Sequence, residues 1–329
     1  MIHVKGLSKT FHVHEKAPGL AASVRSLFHR KRIAKHAVQD VSFDIGPGEI
    51  VGLVGANGAG KTTLVKMLAG IIHPTSGEAR VLGHEPWKRS NALRHQIALI
   101  MGQKASLWWD LPAADCFLLL KEIYRIPDDL YRERLGYLTE TLGISGELHT
   151  QIRRLSLGER MKMELVSTLL HAPKVVYLDE PTIGLDLTAQ RAIREFLLRY
   201  REEHNPAMIL TSHYMEDIEQ LCKRILLIQD GRLVFDGELD EVMRRYSPHK
   251  ILTARFKPGA ASGSVQKENL PGEVLELDSD HVRLKVDRET VTSSAQRLLS
   301  CFPVADISIE EVEVGTVIEQ IFREGTLRV

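Results

Sequence analysis

A glycine-rich loop between an apolar strand and a helix is the feature that most constrains how this chain folds. The segment Gly55–Thr63 reads GANGAGKTT and fits the pattern G-x-x-x-x-G-K-[ST]. It follows the apolar run Ile50–Val54, which predicts a buried parallel strand, and residues 64–69 continue a helix after it. This order of elements predicts an α/β fold with a largely parallel sheet.

The residue types in this loop suit the binding of phosphate groups. Glycines let the backbone curl so that successive N–H groups point inward, and the following helix adds the positive end of its dipole. Lys61 can reach the β- and γ-phosphates of a nucleotide, and the Thr62 hydroxyl is placed to ligate Mg²⁺. The predicted nucleotide contacts in the loop are Gly55, Asn57, Gly58, Gly60, Lys61, Thr62 and Thr63.

A second apolar run, Val175–Leu178, ends in two carboxylates, Asp179 and Glu180. A strand of this kind delivers an acid to the Mg²⁺ beside the phosphates, which is the role expected of Asp179. The next acid is well placed to polarise a water molecule, so Glu180 is the candidate general base. Another short strand is predicted at Ala207–Thr211, and strands that alternate with helices in this way form a parallel sheet covered on both faces.

Between these motifs, the segment Leu155–Glu159 reads LSLGE and opens a predicted helical stretch. It resembles the signature motif of ABC ATPases, usually written LSGGQ. The other family motifs are matched in order along the chain by the adenine-stacking aromatic Phe11, the Q-loop residue Gln103, the D-loop residue Asp186 and the switch histidine His213. The resemblance covers the chain from its start to about residue 240.

The resemblance implies an α/β fold, a P-loop ABC ATPase core with an antiparallel β subdomain and a helical subdomain. It also implies a head-to-tail dimer that buries two ATP molecules between its subunits. The Ser156 hydroxyl and the Gly158 backbone of one subunit would close over the γ-phosphate held by Lys61 of the other. A helix N-terminus aimed at phosphate makes this arrangement physically sensible.

Further roles in each subunit follow from the same family pattern. Glu180 would orient the attacking water, and His213 would contact the γ-phosphate. Gln103 would sense the Mg²⁺ and link the site to the helical subdomain. Phe11 would stack on adenine, and Asp186 is assigned to the nucleotide contacts.

Two residues depart from the usual signature. Leu157 replaces its first glycine and Glu159 replaces its glutamine. Leu157 adds bulk but no charge, and it resembles the LSLGQ form of one exporter-like branch. Glu159 puts a carboxylate near the first turn of the helix, where it favours the helix dipole but would repel ATP. The hypothesis that follows is slower or weaker dimer closure with function retained.

The wider sequence is similar to ATPase subunits of type-2 ABC exporters, which pair with separately encoded permeases. The similarity includes Gly102–Lys104, Trp108–Pro112 and Pro181–Asp186. It implies an ATPase on the cytoplasmic face of a membrane, energising export with ATP and Mg²⁺. The implied partners are an integral membrane permease and a second copy of the chain or a homologous ATPase. Trp108 and Trp109 lie where the family receives its permease, and they are either docking anchors or core aromatics.

The main alternative is a non-transport ABC ATPase that acts on nucleic acid or ribosomes. Some members of that class carry long coiled coils and others carry two cassettes in one chain, and neither pattern occurs here. The formal net charge is zero, so no nucleic-acid partner is expected. A regulatory subunit that binds ATP without hydrolysing it is a third interpretation, which the intact Lys61, Asp179, Glu180 and His213 oppose.

Composition divides the chain into three parts. Residues 1–246 are predicted to form the ATPase domain, with a helical subdomain at about 104–170. Residues 247–272 are rich in Ser, Gly, Pro and Lys, which is typical of a linker or loop. Residues 273–329 predict a small C-terminal α+β domain, with a hairpin followed by a helix that has one apolar face.

Residues 12–36 form a basic insert between the first two strands. Lysines and arginines in it face a single acid, Glu15. Leu27, Phe28 and Ile33 lie among the cations, so the insert is either a membrane-surface segment or an extended solvated loop. No window approaches the ~20 apolar residues that a membrane span needs, so a membrane partner would be served from outside the bilayer.

Overall fold

The computed structural model describes residues 1–14, 32–102, 106–257 and 270–324. The chain divides into two compact units, Met1–Gly237 and Glu238–Val329. Gln103 and most of the basic insert therefore lie outside the described residues. None of the described helices combines the length and the apolar character that crossing a bilayer requires.

The first unit contains two sheets and the helices that cover them. Its elements in chain order are β1 (Ile2–His14), β2 (Arg32–Ile45), β3 (Ile50–Val54), α1 (Lys61–Leu68), β4 (Ser76–Val81), α2 (Asn91–Arg94), β5 (Ile97–Met101), α3 (Ala113–Tyr124), α4 (Asp128–Thr141), α5 (Leu157–Leu169), β6 (Val175–Asp179), α6 (Leu187–His204), β7 (Ala207–Thr211), α7 (Met215–Leu221), β8 (Arg224–Gln229) and β9 (Arg232–Glu238).

The larger sheet has six strands in the order β5-β6-β7-β3-β8-β9. Strands β3, β6 and β7 are buried along their whole length, because helices cover both faces of a parallel sheet. The parallel register pairs Asp179 with Thr211, so the carboxyl ends of β6 and β7 finish side by side. The predicted parallel sheet is confirmed, and it brings the ends of its strands to one edge.

A smaller antiparallel sheet has the order β2-β1-β4. Alternating apolar residues on β1 and β2 meet on its inner face, where Val4 pairs with Phe43 and both are buried. The predicted antiparallel subdomain is confirmed. Helices α3, α4 and α5 occupy the stretch predicted to be helical.

Strands β8 and β9 form the hairpin that the Asp230-Gly231 dipeptide predicts. Both turn residues have positive φ, 49° and 79°, as a two-residue type I′ turn requires. The Gly231 N–H donates to the Ala59 carbonyl at 3.0 Å, and the Gly231 carbonyl accepts from the Gln39 N–H at 2.7 Å. The turn therefore joins the glycine-rich loop to β2.

The second unit is built around its own apolar core. Its elements are α8 (Leu239–Tyr246), β10 (His249–Phe256), β11 (Glu273–Leu277), β12 (His281–Asp287), α9 (Val291–Cys301), β13 (Val304–Glu311) and α10 (Val314–Glu324). The four strands form one antiparallel sheet in the order β11-β12-β10-β13. The predicted hairpin and the terminal apolar helix are both present.

The expected linker at residues 247–272 needs a correction. His249–Phe256 is the inner strand β10, and its alternate residues Leu252, Ala254 and Phe256 are buried in the core of the second unit. A strand has a period of two, and the polar composition averaged over the longer segment concealed it. Residues 258–269 of the same segment lie outside the described part of the chain.

Candidate active site

The glycine-rich loop is held between β2 and β8 at positions where only glycine fits. A Cβ on Gly60 would come closer than 3.0 Å to the Ala37 carbonyl, and one on Gly55 would do the same to the Ile228 carbonyl. Gly58 and Gly60 also have positive φ, 81° and 109°, which L side chains rarely adopt. The close approach and the backbone conformation together account for the glycines of the motif.

The remaining predicted loop contacts lie on the same segment. Asn57 and Gly58 are exposed at its tip, while Thr62 and Thr63 are half-buried in the first turn of α1. The loop thus turns directly into a helix N-terminus, whose free N–H groups and dipole favour an anion.

Lys61 begins α1 and is buried at the centre of the loop. Its Nζ donates to the carbonyls of Gly55 at 2.6 Å and Ala56 at 3.1 Å. Burial lowers the pKa of the ammonium group, and the nearby carboxylates of Glu180 and Asp179 act in the opposite direction. A cation is therefore present beside both predicted acids.

Asp179 lies at the end of β6 and is bonded to two hydroxyl groups. Thr211 Oγ1 donates to Asp179 Oδ1 at 2.6 Å, and Thr62 Oγ1 lies 3.4 Å from the same oxygen. A carboxylate and a hydroxyl this close offer the oxygen donors that Mg²⁺ prefers. The donor set of Thr62 and Asp179 fits a magnesium ion.

Glu180 has a left-handed backbone with φ of 59°. Its N–H donates to the Thr211 carbonyl at 3.0 Å and to Thr211 Oγ1 at 3.1 Å, which holds this strained conformation in place. Its Oε1 lies 2.9 Å from His213 Nε2. Two of the three predicted catalytic residues, which follow different strands, are thus in direct contact.

Gly102 is the described neighbour of the Q-loop residue. Its N–H donates to the Asp179 carbonyl at 2.8 Å, and a Cβ there would come closer than 3.0 Å to the Glu180 carbonyl. The chain that enters residues 103–105 is therefore held against the two acids. Gln103 itself remains a prediction.

The signature segment begins α5 with a reciprocal cap. The Ser156 hydroxyl accepts from the Glu159 N–H at 3.3 Å and donates to Glu159 Oε2 at 2.8 Å, and the Ser156 N–H donates to the same oxygen at 2.8 Å. This arrangement is a capping box. The donors on Ser156 hold the pKa of the Glu159 carboxyl below its usual value. The unusual acid of the signature is therefore bonded within its own helical turn.

The other departure from the signature, Leu157, packs against the D-loop. A Cβ on Gly184 would lie 3.3 Å from Leu157 Cδ2, and a Cβ on Gly158 would lie 3.2 Å from Ala189 Cβ. Glycine at position 184 makes room for the leucine. Asp186 caps α6, because its Oδ1 accepts from the Ala189 N–H at 2.8 Å.

Phe11 lies on β1 and is 37% exposed. It pairs with Lys35, two residues before the Ala37 whose carbonyl abuts Gly60. The ring therefore belongs to the part of the small sheet that adjoins the loop. Lys9 Nζ lies 5.1 Å from the ring centre, a cation–π distance.

Trp108 and Trp109 are 44% and 50% exposed. The core alternative for these two residues is therefore wrong. The Arg160 guanidinium, on α5, lies 5.1 Å from the Trp109 ring.

Two family models match the chain. The model described as ABC transporter matches residues 38–183. The model described as EvrA-like ABC transporter, C-terminal domain, matches residues 248–310, within the second unit. The first match contains the loop, the signature segment and both acids.

Curated relatives match a larger share of the chain. ABC transporter ATP-binding protein NatA of Bacillus subtilis (strain 168) is 30% identical over 213 residues, which are 65% of this chain and 86% of that protein. Nod factor export ATP-binding protein I of Burkholderia pseudomallei (strain K96243) is 31% identical over 261 residues, 76% of this chain and 85% of that protein. The chain belongs to the ATP-binding subunits of ABC transporters.

Solved structures of ABC ATPases have the same fold. An ATP-binding subunit of an ABC transporter superposes with a TM-score of 0.62 at 25% identity, covering 74% of this chain and 92% of the other. The dimeric cassette MJ0796, bound to ADP and Pi in a post-hydrolysis state, gives a TM-score of 0.60 at 21% identity, covering 72% and 98%. This ABC subunit binds ATP and is an ATPase.

Several residues around the ABC site were not predicted from the sequence. Thr211 is the clearest, since it contacts both Asp179 and Glu180. Its position in the sequence, at the end of a predicted strand and directly before Ser212-His213, could have predicted a place in the site. Asp217 and Glu164 are buried acids with partners far away in the sequence, and their positions carried no recognisable motif.

Proposed function

We propose that this subunit hydrolyses ATP in a head-to-tail dimer and energises export through a separately encoded permease on the cytoplasmic face of a membrane. The observation that carries the proposal is the convergence of Lys61, Asp179, Glu180 and His213 at the carboxyl ends of β3, β6 and β7. In open α/β sheets this edge is where ligands bind.

The loop would hold the triphosphate. Its N–H groups and the N-terminus of α1 would bind the phosphate oxygens, with Lys61 Nζ moving from the Gly55 carbonyl to the β- and γ-phosphates. Thr62 and Asp179 would hold a Mg²⁺ ion, which neutralises charge that develops on the phosphates. Phe11 would stack on the adenine ring.

Glu180 would act on the attacking water. Its carboxylate would accept a hydrogen bond from the water and then its proton, while the water oxygen forms a bond to the γ-phosphorus. The bond from that phosphorus to the bridging oxygen breaks, and its electron pair leaves with ADP. The 2.9 Å contact with His213 supports a fixed orientation of Glu180, and His213 would also contact the γ-phosphate.

A second subunit would complete the site. Ser156 and Gly158 of that copy would contact the γ-phosphate, with the N-terminus of α5 aimed at it. The Ser156 hydroxyl and N–H are bonded to Glu159, so the phosphate must compete with this carboxylate for both donors. This competition supports a closure step that is weaker than in a subunit with glutamine at position 159.

The segment 106–110 would receive the permease. Glu164, buried on α5, accepts from the N–H of Ser106 at 2.9 Å and of Leu107 at 3.2 Å, and also from the Ser106 hydroxyl. The exposed Trp108 and Trp109 follow directly. Tryptophan is favoured at interface anchors, and this pair is attached to the helix that begins at the signature.

Hydrolysis is tested with purified protein and Glu180→Gln. We expect kcat to fall by at least about 100-fold with ATP binding retained, because the amide cannot accept the proton. Glu203→Gln, at an exposed site on α6, is the matched control and should keep the full rate. A Glu180→Gln protein with the full kcat would remove Glu180 from its proposed role.

Transport is tested by searching the neighbouring genes for a multi-span hydrophobic protein and co-expressing it with this chain; the lack of such a partner would favour the non-transport alternative. We expect the two to co-purify, and Trp108→Ala/Trp109→Ala to weaken the complex at least about 10-fold while the ATPase rate of the free subunit is kept. Association that survives the double substitution would contradict the docking surface, whatever the outcome of the Glu180 test.

A further inference from the structure

Asp217 lies on α7, the helix that follows His213 in the chain. It is fully buried, with 0% of its surface exposed. Its Oδ2 accepts hydrogen bonds from Thr182 Oγ1 and from Ser212 Oγ, each at 2.5 Å. Thr182 and Ser212 are themselves 1% and 5% exposed. One carboxylate oxygen therefore joins two segments of chain that are distant in sequence.

The two segments are those that carry the proposed catalytic side chains. Thr182 follows Glu180 by two residues in the loop after β6, and Ser212 directly precedes His213 in the loop after β7. Ser212 Oγ also accepts from the Tyr214 N–H at 3.0 Å, which closes a turn around His213. The orientation of Ser212 therefore determines the direction in which His213 leaves the backbone.

A third element is attached to the same carboxylate. Arg194 on α6 is 2% exposed, and its Nε lies 3.3 Å from Asp217 Oδ1. Its other end pairs with Glu216 at 2.6 Å, nearer the surface. Because the D-loop residue Asp186 caps the N-terminus of α6, the cluster connects the D-loop helix with both catalytic loops.

Stability alone is a poor account of this cluster. A buried ion pair often contributes no more net stability than apolar residues of the same volume would. Asp217 is at the third position of its helix, yet its carboxylate accepts hydrogen bonds from side chains of two other loops and pairs with Arg194 on α6. Such an arrangement is suited to fixing geometry, and an error of about 1 Å at a reacting group can cost about 100-fold in rate.

We propose that Asp217 is a positioning residue for ATP hydrolysis. Through Thr182 and Ser212 it fixes the two loops so that Glu180 and His213 stay 2.9 Å apart on the side that faces the γ-phosphate. The inference rests on the proposed roles of Glu180 and His213 and adds a group that touches neither substrate nor either of these side chains.

The test uses Thr182→Val and Ser212→Ala, which remove one hydroxyl each and leave Asp217 and Arg194 in place. We expect kcat to fall by about 5- to 20-fold in each, with the KM for ATP within about 2-fold of the parent. Thr182→Ser keeps the hydroxyl and should restore kcat. A lower kcat with an unchanged KM, restored by Thr182→Ser, distinguishes a positioning role from a general loss of folding.

Thr139→Val is the matched control. Thr139 is equally buried, at 2% exposure, but the bonds described for its hydroxyl go to the Leu135 and Gly136 carbonyls of its own helix α4. It should lower the melting temperature about as much as Thr182→Val and leave kcat unchanged. Equal kcat in the Thr182, Ser212 and Thr139 variants would overturn the proposal, as would failure of Thr182→Ser to restore the rate.

The Glu180→Gln protein separates this inference from the proposed function. If that protein loses activity while Thr182→Val and Ser212→Ala keep theirs, only the role of Asp217 is refuted. If Glu180→Gln keeps full activity, the catalytic assignment itself is refuted, and the positioning proposal with it.

Discussion

The phosphate-loop side and the signature side of the nucleotide site are built in different ways by the same chain. On the loop side, Lys61, Asp179 and Thr211 are buried: Lys61 bonds two carbonyls of the loop, and the bond between Thr211 and Asp179 joins β7 to β6. On the signature side, Ser156 is exposed, and the bonds described for its hydroxyl and its N–H go to Glu159, three residues away. The first side includes a contact between different strands of one subunit, whereas the Ser156 donors of the second are occupied by a residue of the same helical turn.

The two sides are therefore held in place by different interactions. On the loop side the backbone segments lie so close together that a side chain does not fit between them, as where Gly60 meets the Ala37 carbonyl. The signature side is fixed by one capping box, which contributes about 1 kcal/mol to helix stability. We therefore expect substitutions on the loop side to affect folding, and those on the signature side to affect closure.

The largest difference in stability and ATP binding should be between Gly60→Ala in the phosphate loop and Gly158→Ala in the signature segment. Gly60→Ala forces a Cβ against the Ala37 carbonyl at φ of 109°, and we expect it to lower the free energy of unfolding by about 3 kcal/mol and abolish ATP binding. Gly158→Ala meets only Ala189 Cβ at 3.2 Å in a helix and should change stability by less than about 1 kcal/mol. Urea unfolding and binding of a fluorescent ATP analogue measure both; similar losses would break the comparison.

A smaller contrast is expected from two hydroxyl groups. Thr211→Val removes the donor to Asp179 and an acceptor for the Glu180 N–H from a fully buried site, and should cost about 1–3 kcal/mol while raising the Mg²⁺ concentration needed for hydrolysis. Ser156→Ala removes an exposed cap and should cost about 1 kcal/mol with that requirement unchanged. Denaturation curves and magnesium titrations of the ATPase rate compare the two, and a larger effect from Ser156→Ala would reverse the order.

The free energy of unfolding should depend on pH through His171, which lies just after the signature helix α5. Burial lowers the pKa of His171 to about 4, and its Nδ1 has no acceptor among the residues that the structure describes. The unfolded chain therefore binds the proton first, and stability falls as pH drops from about 6.5 towards 4, by about 2 kcal/mol at pH 5.

His171→Phe tests this, because it preserves the stacked contact with Tyr124, whose ring centre lies 4.0 Å away, and cannot titrate. We expect the difference in unfolding free energy between pH 7 and pH 5 to shrink by that amount. An unchanged difference would assign the acid sensitivity to another group.

The smallest effect is expected from Glu159→Gln, which keeps the shape of the cap and removes its charge. ATP-driven dimerisation should become about 2- to 5-fold tighter at low salt, and the gain should shrink at high salt because the charge is exposed to screening. Since the pKa of Glu159 lies below its usual value, the gain should persist down to about pH 5 and disappear only under more acidic conditions. Sedimentation with ATP measures it, and unchanged dimerisation and ATPase rates would refute the hypothesis.

The parts of the fold that were predictable are those with local signals. The glycine spacing of the loop, the apolar runs of β3, β6 and β7, and the Asp230-Gly231 turn each act within a few residues. The capping box at Ser156 and Glu159 was also readable from its spacing, although the acid was interpreted only as a charge near ATP. Gln103 and residues 15–31 lie outside the described part of the chain, and their roles stay predictions.

The parts that were missed depend on contacts between distant residues. Asp217 meets Thr182 across 35 positions, and Glu164 meets Ser106 across 58. No periodicity or motif marks such a pair in a single sequence. The strand β10 was missed for another reason, since Leu252, Ala254 and Phe256 alternate inside a segment whose average composition is that of a loop.

The hairpin turn between β8 and β9 has a consequence for the order in which the molecule is made. Its Asp230 carbonyl accepts from Gln39 Nε2 across 191 positions, and Gly231 bonds Ala59 within the loop. A ribosome delivers the loop long before it delivers the turn that braces it, at about 5–20 residues per second. The capping box, by contrast, can close as soon as its four residues have emerged. A nascent chain therefore completes its nucleotide-binding loop late. A chain truncated before residue 231 should lack the bond from Gly231 to Ala59 that holds the loop.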